Sequence, residues 1–140
     1  MIQKLRGLYD RYEKTAEEVR RKAPPAAGIF GLGEDPRNHP CHMDFYEAVE
    51  QWIGEFLTRE PENAAVYEAA RWILSLAQDN RDRDIYWYCY ALHGLCGDLV
   101  ARLNPDQCRE LMAYYDANYP KRDRLPAQRN LYKQLRKGAR

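Results

Sequence analysis

The chain has 140 residues, 45% hydrophobic and 31% charged, with 22 Lys/Arg against 21 Asp/Glu and a formal net charge of +1. That length and apolar share suit one domain, 1–140, around one buried core, and they exclude a wholly disordered chain. The near-neutral total conceals an asymmetry: residues 1–22 carry 7 basic and 4 acidic side chains, 23–120 carry 7 and 16, and 121–140 carry 8 and 1.

The first predicted element is a helix over residues 2–22. Ile2, Leu5, Tyr9, Tyr12, Ala16 and Val19 recur at three- and four-residue steps and form one apolar stripe. Pro24 and Pro25 stop it, because proline lacks the N–H and restricts the residue before it. Residues 23–39 then read as a long loop containing Gly28, Gly31, Gly33 and Pro36. Its Ile29, Phe30 and Leu32 suggest that it tucks onto the core.

A second helix is predicted from Pro40 to Thr58, with Phe45, Val49, Trp52 and Phe56 as its seam and Asn38 or His39 as its cap. A third runs from Pro61 to Gln78, with Val66, Ala69, Ile73 and Leu76 inward. A fourth, Asp84 to Leu103, is apolar on nearly all sides and is therefore expected at the centre. Gly94 and Gly97 lower its helix propensity, which predicts a kink or the close approach of another backbone.

Asn104, Pro105 and Gln107 form a capping-box pattern that opens a fifth helix, ended by Asn118 and Pro120. A short sixth runs from Leu125 to Lys137, with Leu131, Tyr132 and Leu135 inward, inside the basic C-terminal segment 121–140. No segment alternates as a strand does. The fold class is all-α: a bundle of about six helices, largely antiparallel neighbours, with the long Gly/Pro loop between the first two.

The chemistry-bearing residues concentrate in two windows. One is His39, Cys41 and His42; the other is Cys89, His93 and Cys96, at i, i+4 and i+7 on one helix face. If the two helices are neighbours, these six are the candidate ligands for a tetrahedral zinc, while the leading expectation is no cofactor. The competing interpretation is buried cysteines in a helix seam and structural histidines, and it is favoured, since the spacing fits no standard zinc motif.

Cys41 beside a helix N-terminus, with His39 or His42 as base and Glu34, Asp35 or Asp44 orienting it, is a second candidate: a thiol site with a lowered pKa. The Gly-x-x-Gly-x-Gly order of Gly28, Gly31 and Gly33 departs from the dinucleotide fingerprint and is read as a tight connection. No catalytic motif is complete, so binding is favoured over catalysis.

The leading functional expectation is a module that binds another protein, or a second copy of itself, through an aromatic-rich helical face, since Tyr86, Trp87, Tyr88 and Tyr90 cluster at the start of the fourth helix. The third reading concerns Arg129, Lys133, Arg136 and Arg140, one stripe at i, i+4, i+7 and i+11. It would suit nucleic acid or an anionic membrane surface. Nucleic acid is disfavoured here, because the acidic middle of the chain offers the stripe a docking surface at Glu47, Glu50, Glu55 or Glu110. Should the stripe project into solvent instead, an external anionic partner becomes the better reading. With four cysteines, no apolar leader and no run long enough to cross a bilayer, the expected setting is a reducing cytoplasm.

Overall fold

The computed structural model describes residues 2–23, 35–76 and 87–140, and among them every regular element is a helix. Helix α1 spans Gln3–Lys22 and buries Leu5, Tyr9, Tyr12 and Ala16. It ends where Ala23 turns to an extended backbone, ψ 137°, as a residue before proline must. A short 3-10 turn, Pro36–Asn38, precedes α2. Most of the predicted loop 23–39, including its three glycines, lies outside the described residues.

Helix α2 is Pro40–Thr58, the predicted span. His39 caps it: its Nδ1 accepts from the Cys41 N–H at 3.1 Å. Helix α3 is Asn63–Ser75, starting later than the predicted Pro61 because Glu62 is still extended, with ψ 152°. Helix α6, Pro105–Asn118, opens on the expected capping box: Gln107 N–H donates to Asn104 Oδ1 at 2.9 Å and Asn104 N–H to Gln107 Oε1 at 3.0 Å. A 3-10 turn, Lys121–Asp123, leads to α7, Pro126–Gly138.

The predicted fourth helix is corrected. Its first residues, 84–86, lie outside the described ones, and the remainder divides into α4, Tyr88–Leu95, and α5, Gly97–Val100. At the break the Cys96 N–H donates to His93 O, one residue short of the α-helical partner. Beside the break α7 comes close, and the Gln134 amide donates to Gly97 O at 2.7 Å. A Cβ on Gly97 would stand 3.2 Å from Gln134 Oε1, a contact tighter than side chains normally make. Glycine admits the Gln134 side chain here, beside the interruption.

Helix α4 is central, packed on α2, α3 and α7, while α1 lies on α2 and α6 on α7. One continuous core results, from Leu5 and Tyr9 through Val49, Ile73, Leu92 and Leu99 to Leu111, Leu131 and Leu135. Among the described residues no helix is long and apolar enough to cross a membrane.

Candidate functional site

Both internal histidines are fixed by tyrosines from distant helices. On α2, His42 is fully buried. Its Nε2 donates to Pro36 O at 2.8 Å, since a carbonyl only accepts, and its Nδ1 accepts from the Tyr12 hydroxyl of α1 at 2.7 Å. On α4, His93 is equally buried, and its Nδ1 pairs with the Tyr115 hydroxyl of α6. Burial pushes the Tyr115 phenol up, so it keeps its proton and donates.

The two pairs share one geometry, ring centroids 5.6 Å apart and planes at 78°. Desolvation lowers the His42 pKa, and it lowers that of His93 to about 3. Both imidazoles are therefore neutral. His93 Nε2 has no hydrogen-bond partner among the described residues.

The six candidate ligands divide between these surroundings. Cys89 and Cys96 are buried in the α4 seam with Leu92, and burial pushes the Cys96 thiol up to about 12. Both nitrogens of His42 are engaged, and His39 Nδ1 holds the α2 cap. His42 reaches toward α4 only as far as Tyr88, ring to ring at 5.8 Å. Among the described residues, no three of His, Cys, Asp and Glu are grouped as a metal would need.

Cys41 lines a groove of about 310 Å³ between α1 and α2, with Arg11, His39 and Asp44 at its polar side and Leu8 and Phe45 at its apolar side. Burial, then the Asp44 charge, raises the Cys41 pKa, opposite to the lowering expected from its place at a helix N-terminus. None of the four cysteines is in a disulfide.

Aromatic side chains are mostly interior. Tyr12 stacks on Phe45 at 4.4 Å, Trp52 on Phe56 at 4.6 Å, and Tyr115 and Tyr119 flank His93. Among the described residues Trp87 is the one exposed aromatic, at 43%, with Met43 exposed at 44%. The half-buried ring of Tyr88 lies beside Trp87 at a centroid distance of 3.7 Å, and that of Tyr46 lies 6.1 Å from Tyr88.

The C-terminal segment divides its cations sharply. Arg124 is buried: Nε donates to Tyr119 O at 2.9 Å, Nη2 pairs with Asp116 at 3.0 Å, and the guanidinium lies 4.5 Å over the Tyr132 ring. Gln128 is buried as the N3 cap of α7. Sequence reasoning missed both, since polar residues in a basic segment read as solvent-facing.

Arg129, Lys133 and Arg136 are exposed on α7, and Arg140 is exposed two residues past its end. The contacts they make are a bond from Arg129 to Arg124 O and an approach of Arg136 to the Tyr132 ring at 5.4 Å. Among the described residues none of the four pairs with a carboxylate. The expected pairing with Glu47, Glu50, Glu55 or Glu110 is absent there. The reason is that α7 docks by its apolar side, with Leu131 and Leu135 against α4 and α6, which turns the stripe outward.

The chain matches no protein-family model, no curated protein and no solved structure.

Proposed function

We propose that the protein is a binding module rather than an enzyme, and that it engages an anionic macromolecular surface with the exposed basic face of α7. One observation carries this reading: Arg129, Lys133, Arg136 and Arg140 share a solvent-facing stripe and make no ion pair with a carboxylate of the described residues. Such a stripe raises the local potential and recruits polyanions. The interior supports binding over catalysis, since each buried histidine serves as a neutral hydrogen-bond partner and the Cys41 thiol is held protonated.

The test is retention on heparin at low salt. The wild type is expected to elute late, and a variant with these four residues changed to Gln early. A control with Lys4, Arg6, Arg11 and Lys14 changed to Gln removes the same charge from exposed positions on α1 and is expected to stay near the wild type. Equal loss in both variants, or no retention of the wild type, would overturn the reading.

A second reading, self-association, is favoured by exposed Met43 and Trp87 at the starts of α2 and α4. It expects a concentration-dependent dimer in light scattering that Trp87→Ser abolishes; a strict monomer up to high concentration removes it.

A further inference from the structure

We infer that the partner of the α7 stripe is the phosphodiester backbone of nucleic acid, bound without regard to sequence; this rests on the anionic-partner reading above. Arg129, Lys133 and Arg136 follow at four- and three-residue steps, which places them within about 60° of arc and spreads them over about 10 Å of helix, and Arg140 follows just past its end. That is a row of single positive charges along one line, and it matches a polymer whose single negative charges repeat along one line. Three of the four are arginines, whose planar fork suits phosphate oxygens. No acidic residue follows Asp123, so the face carries no opposing charge of its own.

One further observation favours a nucleic acid over a lipid surface. A helix that lies on a bilayer inserts its apolar side, and the apolar side of α7, Leu131 and Leu135, is already buried. Phosphate contacts alone position a protein without sequence information. The acidic excess of residues 23–120 repels the same polymer and so favours approach by this end.

The experiment is fluorescence anisotropy with labelled duplexes, DNA and RNA of one mixed sequence plus a second DNA sequence, titrated with the full chain over a salt series. Four contacts give a slope of log K against log salt of about −3 to −4, and each single change, Arg129→Gln, Lys133→Gln, Arg136→Gln or Arg140→Gln, reduces its magnitude by about one. The two DNA sequences bind alike. Circular dichroism of each variant separates lost contacts from lost folding, and the single changes keep the test available where the fourfold variant fails to fold.

Binding to either duplex with these slopes supports the proposal. No duplex binding, slopes unmoved by the changes, or tight binding to phosphatidylserine vesicles in place of duplexes overturns it. Heparin retention that depends on α7, without duplex binding, overturns the nucleic-acid assignment and leaves the anionic-partner reading standing. Loss of both removes both.

Discussion

Lowering the pH from 7.5 to 4 is expected to destabilise the fold by several kcal/mol, with the decline already under way at pH 6. The cause is His93. Its pKa is lowered from 6.5 to about 3 by burial in the core, whereas the unfolded chain titrates near the ordinary value. Between those values the unfolded state binds a proton that the folded state refuses. Stability is therefore complete above about pH 6.5 and falls as the pH drops, by up to about 1.4 kcal/mol per unit, until the folded-state value is reached. His42, also lowered by desolvation, adds to the decline in the same direction. Glu18 and Asp35, lowered by hydrogen bonds from Lys22 and Arg37, enter only below the ordinary values of 4.5 and 3.8. The slope from pH 6.5 to 5 thus belongs to the histidines. Urea midpoints measured across that range check it. His93→Asn is expected to be less stable at pH 7.5, because the smaller side chain leaves a cavity at a fully buried site, yet flatter with pH. A His93→Asn profile as steep as that of the wild type would refute the assignment.

The helices were legible because their signals are local. Leu5, Tyr9, Tyr12 and Ala16 announce the buried face of α1 by spacing alone. His39 before Pro40, and Asn104 with Pro105 and Gln107, announce two helix starts by the bonds those residues make within three positions. Gly94 and Gly97 announced the kink of the central helix, but not the contact made beside it, since Gln134 lies 37 residues away. The same limit hid the Tyr12–His42 and Tyr115–His93 pairs, whose members lie 30 and 22 residues apart. Sequence adjacency grouped each histidine with nearby cysteines, whereas three-dimensional packing gave each one a tyrosine. Charge sums failed for a related reason. An acidic middle and a basic end attract on average, but which faces meet is decided by apolar burial, worth about 25 cal/mol per Å² against about 0–1 kcal/mol for an exposed ion pair. Leu131 and Leu135 outweigh the charges, and the stripe turns to solvent.

That hierarchy predicts opposite outcomes at two adjacent residues of α7. Leu135→Ala is expected to cost about 2–5 kcal/mol, because the side chain is fully buried and its removal leaves a cavity in the α4–α6–α7 seam. For a chain of this size that lowers the melting temperature by on the order of 10 °C. The loss is shared across the core, since releasing α7 would expose Leu111, Tyr115 and Cys96, which are themselves buried. Arg136→Gln, one residue on, is expected to change stability by about 0.5–1 kcal/mol at most, since it removes only an exposed approach to the Tyr132 ring. Binding to a polyanion should reverse the order. Well below its melting temperature, Leu135→Ala retains the salt slope of the wild type, whereas Arg136→Gln lowers its magnitude by about one. Thermal melts and anisotropy on the same two proteins check both halves. Equal, small stability losses at the two positions would mean that α7 is not anchored by its apolar side, and the outward orientation of the basic stripe would lose its physical basis.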